Sequence, residues 1–120
     1  MVEIVNGLVS ERVMGWSRKI LTNNEEGHPY YADYWVDDNE VKKKPVNFWK
    51  PATDIKDAYM VIEKLREKGI LIINEACMDK YKATYDGNFE AFSTSASLAV
   101  CIAALKAVGV EMAAVYAEVK

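Results

Sequence analysis

Residues 93–109, STSASLAVCIAALKAVG, form a long run of small and apolar side chains with a single charge, at Lys106. A helix at the surface of a protein needs a polar face toward water, and this segment has none after its hydroxyl residues. At roughly a dozen helical residues it also falls short of the ~20 residues that cross a bilayer. We therefore predict a buried core helix, capped at its start by one of residues 93–95 and closed by Gly109.

The chain has 120 residues, a net charge of −3 and two cysteines. This length fits one domain over residues 1–120 that buries a core without disulfides or metal. The acidic balance disfavours nucleic-acid binding, because Lys and Arg make most phosphate contacts. The sequence has neither a basic segment followed by a signal-like apolar stretch nor a membrane-spanning run. We expect a soluble protein of the reducing cytoplasm, without membrane contact.

Residues 2–14 carry apolar side chains at the spacing that lines one face of a helix. Gly15 is placed to end this first helix in a left-handed conformation, so that Trp16 folds back onto the apolar face. The aromatic and β-branched side chains of residues 16–36, interrupted by a polar loop at 22–29, predict a hairpin or a pair of edge strands.

A second amphipathic helix is predicted over residues 55–68, with Thr53 as its N-cap and Gly69 as its stop. The apolar run at residues 70–73 predicts a central strand that is covered on both faces. Residues 81–92 alternate on either side of an Asp-Gly turn signal, which predicts a hairpin. Together these strands should form an antiparallel sheet.

Aromatic side chains concentrate in segments that are predicted to be edge strands or loops. Such residues often anchor protein interfaces, although an aromatic residue in a loop is more usually a buried cap over the core. The sequence leaves both interpretations open. The candidate binding residues from this group are Tyr30, Tyr31, Tyr34, Trp35, Phe48 and Trp49.

A second candidate site lies at Ser93, Thr94 and Ser95, at the predicted start of the buried helix. Backbone amides and hydroxyls at such a position can bind an anion, and capping alone uses one hydroxyl. We favour capping and solvation, with a small anionic ligand as the alternative. The lysines at 42–44 are expected in a solvated loop rather than in an anion site.

No pattern in the sequence predicts catalysis, a metal or a cofactor. His28 is the one histidine and has no partner at ligand spacing. Cys101 belongs to the buried helix, and Cys77 has no base beside it in sequence. The carboxylates of residues 33–40 are expected in solvated turns, and no glycine-rich phosphate loop is present. We therefore expect a protein that is not an enzyme.

Three passages together resemble the phage ABA sandwich domain family, in matching order over residues 4–110: residues 6–16, 51–58 with 61–65, and 98–109. The resemblance implies helices packed on both sides of an antiparallel sheet, in agreement with the α+β, three-layer α-β-α sandwich expected here. Members of this family are phage accessory proteins, and the resemblance brings no catalytic residues. The sequence departs from the family in its longer region 19–50 and in the tail 111–120, which is expected to form a short element or an arm on a neighbouring subunit.

The functional expectation is a non-enzymatic phage or prophage accessory protein that binds a host or phage partner in the bacterial cytoplasm and self-associates as a homo-oligomer. The alternative is a small-molecule binder that sequesters a nucleotide signal of host defence. That ligand would lie at a helix N-terminus, near residues 93–97 or near Thr53 and Asp54.

Overall fold

The structure of the protein is a computed structural model. It describes residues 2–23, 30–67, 69, 71–76, 80–85 and 89–112, with the backbone alone for 21–23, 30–32 and 71–76. The elements are α1 (Val2–Leu8), a π-helical segment (Val9–Val13), β1 (Ser17–Asn23), β2 (Tyr30–Val36), β3 (Lys42–Pro45), a 3₁₀ turn (Val46–Phe48), α2 (Ile55–Leu65), β4 (Leu71–Ala76), β5 (Lys80–Tyr85), β6 (Phe89–Ser93) and α3 (Ala96–Ala107). The strands form two antiparallel sheets, and the α+β fold class is confirmed.

The first helix has one buried stripe, formed by Val5, Val9 and Val13 at a spacing of four residues. It begins as an α-helix and becomes π-helical at Val9, so the sequence predicted the helix but not its change of pitch. Gly15 follows with φ +74°, a conformation that favours glycine. Trp16 is buried in the core beyond it, as predicted.

The first sheet has the strand order β1-β2-β3. Ser17 pairs with Val36 at one end of the β1–β2 ladder, which confirms the predicted hairpin. The lysines at 42–44 belong to β3, where Lys44 pairs with Trp35, and the predicted solvated loop is wrong. Their backbone groups join the ladder while the side chains stay partly or wholly exposed, so a run of charge did not reveal the strand.

The second sheet has the strand order β4-β5-β6, with β5 in the middle. Ala83 pairs with Ala91 across β5 and β6, and both are buried beneath α3, which confirms the predicted hairpin strands. Among the described strands β4 pairs with β5 alone, so the predicted central position of residues 70–73 is wrong. An apolar run predicts a strand, whereas its place in the sheet depends on which chain segments pair with it.

The helix α3 lies between the second sheet on one side and α1, the π-helical segment and α2 on the other. Val100, Cys101 and Leu105 have no exposed surface, which confirms the buried helix. Its small side chains let neighbours approach on both sides, and Lys106 extends out of the core to donate a hydrogen bond to the Glu90 carbonyl (2.7 Å). Gly109 closes the helix with φ +88°.

The helix α2 is capped by Asp54, whose side chain accepts a hydrogen bond from the Lys56 amide (2.9 Å), and not by Thr53. It ends at Leu65, before the predicted stop, and the Gly69 amide donates to the Leu65 carbonyl (3.0 Å). Met112 is buried at the start of the tail, and residues 113–120 lie outside the described residues. No described helix is long and apolar enough to cross a membrane.

Candidate functional site

A cleft of about 610 Å³ opens between the first helix, the first sheet and the 3₁₀ turn. We call it the helix–turn cleft. Its helix wall consists of Glu3, Asn6, Gly7 and Glu11, its sheet wall of Arg18 and Trp35, and its turn wall of Val46, Asn47, Trp49 and Lys50. These residues are far apart in sequence and are brought together by packing of the turn against the helix.

The turn is held in place by two side chains that accept hydrogen bonds from its backbone. The side-chain oxygen of Asn6 accepts from the buried Ala52 amide (2.8 Å). The carboxylate of Asp57, buried on α2, accepts from the Lys50 amide (2.9 Å). Because backbone amides that are removed from water need a partner, these two bonds fix the turn wall to both helices.

The helix wall combines two carboxylates with an open glycine. Glu3 and Glu11 are exposed, and neither forms an ion pair with any described residue. Between them, a Cβ atom placed on Gly7 would meet nothing within 4 Å. The hydroxyl of Ser10 donates to the Asn6 carbonyl (2.9 Å) at the point where the helix changes pitch. π-Helical turns of this kind occur frequently at functional sites.

Trp49 is the most enclosed side chain of the cleft, with 2% of its surface exposed. Its indole packs on that of Trp16, with ring centroids 4.9 Å apart. Its Nε1–H is buried and has no acceptor among the residues that the structure describes. An indole nitrogen can only donate, so this buried group lacks an acceptor oxygen.

Arg18 and Trp35 form a cross-strand pair on the sheet wall. The Arg18 guanidinium donates to the Asp33 carboxylate, with Nε–Oδ2 at 2.7 Å and a second contact from the terminal nitrogen. This hydrogen bond, together with the charge of Asp33, raises the pKa of Arg18 above its usual range. The positive charge of Arg18 is therefore already matched within the protein.

A second cavity, of about 510 Å³, lies between the end of the π-helical segment, the β2–β3 turn and α2, with Trp16 and Asp37 in its lining. Hydrogen bonds from the Val41 and Asn39 amides, aided by Lys43, lower the pKa of Asp37. These contacts hold the turn together. They account for Asp37 as a structural residue.

The structure brings two of the predicted aromatic residues, Trp35 and Trp49, into the helix–turn cleft. Phe48 stands between two residues of the turn wall and is 74% exposed. Tyr34 is half-buried, with the Lys42 ammonium 5.1 Å from its ring centroid. The side chains of Tyr30 and Tyr31 lie outside the described residues, although their backbone belongs to β2.

The hydroxyl residues before α3 line neither cavity. Ser95 is the N-cap, and its hydroxyl accepts from the Leu98 amide (3.3 Å). The Ser93 hydroxyl accepts from the Ser95 amide (3.1 Å), and Thr94 is exposed. Two of the three hydroxyls therefore serve the local backbone, more than the single cap that was expected.

The cysteines and the histidine, which are candidate reactive residues, lie apart from the cleft or outside the described residues. Burial raises the pKa of the Cys101 thiol, which has no exposed surface. His28 and Cys77 fall outside the described residues. Within the described ranges, no three His, Cys, Asp or Glu side chains lie close enough to hold a metal ion.

Most of the helix–turn cleft is not predicted by the sequence. The residues that it did not single out are Glu3, Asn6, Gly7, Glu11, Arg18, Val46, Asn47 and Lys50. One local signal was available, because Gly7 interrupts a helical pattern and an interior glycine there needs a packing or functional reason. The remaining residues have ordinary surface chemistry, and only the tertiary structure brings them together.

The order of these elements defines a class of protein: a small α+β domain with antiparallel sheets, built on one fully buried helix. The chain belongs to the phage ABA sandwich domain family, whose model matches residues 7–105. This confirms the resemblance found in the sequence.

One solved structure is similar along most of the chain. It is a phage protein from Bacillus cereus ATCC 14579, determined at 2.0 Å, which is 18% identical and superposes with a TM-score of 0.55 over 88% of this chain and 89% of that one. At this identity the likeness bears on the fold alone. No curated protein matches the chain.

Proposed function

We propose that this phage-family protein is not an enzyme and acts by binding a protein partner in the cytoplasm of the bacterial host. The binding surface is the helix–turn cleft together with Phe48, which is adjacent in sequence to two of its lining residues. The observation that carries the proposal is the position of Phe48, 74% exposed between Asn47 and Trp49, which both line the cleft. It is the most exposed of the large apolar side chains that the structure describes.

An aromatic side chain beside a concave site is a common anchor of protein interfaces. Removing a Phe side chain from water on binding contributes about 1.5–3 kcal/mol. The neighbouring Trp49 and Trp35 are already packed in the core, so the cleft keeps its shape without a partner. A preformed site loses less conformational entropy on binding than one that must be ordered first.

Phe48→Ala provides the test, with Phe92→Ala as the matched control. Phe92 is also exposed (55%) but lies on β6 and lines neither cavity. The wild-type protein and both variants are immobilised and exposed to lysate of infected host cells, and captured proteins are identified by mass spectrometry. We expect a protein that is captured by the wild type and by the Phe92 variant and lost with Phe48→Ala.

Thermal unfolding checks that both variants remain folded, as expected for changes at exposed positions. Trp35 is a poor probe of binding, because it is 5% exposed and its loss would damage the core. Light scattering of the purified protein determines whether the partner is a second copy of the chain. Equal capture by all three proteins would refute the assignment of this surface.

A small-molecule ligand is the second candidate, favoured by the size of the helix–turn cleft, whereas the carboxylates of Glu3 and Glu11 in its lining disfavour an anionic ligand. Its volume of about 610 Å³ lies within the roughly 300–1,000 Å³ typical of ligand pockets. A ligand that binds only the folded state raises the melting temperature, so a panel of cyclic and linear nucleotides can be screened by thermal shift. Absence of a shift at saturating concentrations would count against a nucleotide signal.

A further inference from the structure

We propose that the helix–turn cleft recognises a basic peptide segment of the partner. In this arrangement an Arg or Lys side chain of the peptide lies against the helix wall, and a neighbouring main-chain carbonyl of the peptide accepts a hydrogen bond from Trp49. The inference rests on the proposed function and specifies the chemistry of its binding site.

The buried Nε1–H group of Trp49 needs a hydrogen-bond acceptor. Its Nε1–H has no partner among the described residues, and 2% of the side chain is exposed. Buried polar groups in folded proteins almost always have a hydrogen-bond partner. A peptide carbonyl supplies an acceptor without bringing a charge into this enclosed corner of the cleft, and the Trp49 side chain shifts on binding, because its nitrogen is buried in the free protein.

The helix wall favours a cation. Glu3 and Glu11 line the cleft, and the ion pairs among the described residues include neither carboxylate. The indoles of Trp35 and Trp49 also line this cleft, but only 5% and 2% of these side chains are exposed, so the carboxylates and not the indoles attract the cation. Two carboxylates without an ion-pair partner among the described residues favour a cation over an anion.

The two basic residues of the lining determine the direction in which the peptide lies. Arg18 is bound by the Asp33 carboxylate, so it neither repels nor attracts strongly. Lys50 belongs to the turn wall with Trp49, whereas the two glutamates belong to the helix wall. The cationic side chain of the peptide therefore faces the helix, and its carbonyl oxygens face the turn.

Gly7 leaves room on the helix wall for the cationic side chain of the peptide. A Cβ at this position would contact nothing within 4 Å, and Gly7 lines the cleft between Glu3 and Glu11. Glycine in a helix interior is unfavourable relative to alanine. An unfilled position at the wall of a cleft is therefore consistent with close approach by a ligand, and a large side chain there would fill the space.

The test uses the full chain and three blocked tripeptides of the form acetyl-Gly-X-Gly-amide, in which X is Arg, Gln or Glu. Titrations are followed in ¹H–¹⁵N spectra through the indole Nε1–H signal of Trp49. We expect the Arg peptide to bind about tenfold more tightly than the Gln peptide and the Glu peptide not to bind. The Trp49 signal should move in the direction of a newly formed hydrogen bond.

The double variant Glu3→Gln/Glu11→Gln should weaken the Arg peptide about tenfold, and Gly7→Leu should abolish its binding. Glu63→Gln/Glu67→Gln is the matched control, since these exposed glutamates lie in or beside α2 and pair locally with Arg66 and Lys64. Equal binding of the Arg and Glu peptides, an unchanged Trp49 signal, or spermidine binding as tightly as the Arg peptide would overturn the inference.

Different results would refute the proposed partner-binding surface and the proposed basic peptide. Partner capture that depends on Phe48 but is unaffected by Glu3→Gln/Glu11→Gln would contradict the basic peptide and leave the partner-binding surface intact. Capture that is indifferent to Phe48→Ala would contradict the proposed function itself.

Discussion

The indole rings of Trp16 and Trp49 pack with centroids 4.9 Å apart and planes inclined at 59°. Trp16 follows the first helix and Trp49 follows the 3₁₀ turn, so the pair joins two segments that lie far apart in the chain. Tilted aromatic pairs contribute about 0.5–1.5 kcal/mol beyond the burial of their surface. Trp49 lines the helix–turn cleft and Trp16 lines the second cavity, so the two sites share this contact.

Substitutions of Trp49 should separate packing from hydrogen bonding. Trp49→Ala leaves a large cavity and should lower the free energy of unfolding by about 3–5 kcal/mol. Trp49→Phe keeps an aromatic ring against Trp16 and removes the buried donor that has no described acceptor, so its cost should be about 1.5 kcal/mol or less. Urea denaturation measures both values, and a Phe variant as unstable as the Ala variant would contradict this account.

Two glycine-to-alanine substitutions should have different effects on the stability of the protein. A Cβ on Gly69 would lie 2.7 Å from the Tyr85 hydroxyl and 2.8 Å from its ring, which is buried and cannot move easily. Gly69→Ala should therefore destabilise the protein by about 1–3 kcal/mol. Gly7→Ala meets no atom within 4 Å and should be neutral or stabilise by up to about 1 kcal/mol. Thermal unfolding of both variants tests the difference, and similar effects at the two sites would refute it.

The link between the first helix and the turn should depend on the side-chain oxygen of Asn6. Asn6→Ala leaves the buried Ala52 amide without its acceptor and should cost about 1–3 kcal/mol. Asn6→Asp keeps an acceptor oxygen and should cost less. Asn47→Ala is the matched control on the turn wall, where the side chain is exposed and the change should stay within about 0.5 kcal/mol. Denaturation in urea measures all three, and an equal loss for Asn6→Ala and Asn47→Ala would be inconsistent with the link.

The β2–β3 turn should stabilise the protein in a pH-dependent way through Asp37. Its folded pKa is lowered, first by the hydrogen bond from the Val41 amide, so the ionised form is the one that the folded turn favours. The resulting stability is present above the unfolded pKa, about 3.9, and is lost as the pH falls through the folded value. Wild-type protein should exceed Asp37→Asn in melting temperature at neutral pH, and the difference should shrink in acid. A difference that is independent of pH would contradict this role.

The sequence predicted the elements whose signals are local. The residues of α2 repeat at helical spacing, and those of α3 exclude charge along nearly the whole helix. Hairpin strands at β1–β2 and β5–β6 followed from alternation and turn residues, and Gly15 and Gly109 end their helices with positive φ. Each of these features depends on neighbours a few residues away, so one sequence is sufficient to predict it.

These local signals do not predict which strands pair with one another. The lysines of β3 carry the pattern of a solvated loop, yet their backbone completes the first sheet beside β2. The apolar β4 resembles a central strand but lies at an edge of its sheet among the strands that the structure describes. Both outcomes depend on which segments are adjacent in space, because ladder hydrogen bonds join backbone groups whatever their side chains.

The candidate site was likewise predictable from the sequence only in part. The sequence indicated Trp35, Phe48 and Trp49 as candidate binding residues, because aromatic side chains concentrate in segments predicted to be edge strands or loops. Only the tertiary structure decided that Trp49 is buried, that Phe48 is exposed and that Glu3, Gly7 and Glu11 line one cleft with Trp49. The physical reason is that a cleft is formed by surfaces brought together through long-range hydrogen bonds, such as that from Ala52 to Asn6, and a sequence pattern records only the spacing within each surface.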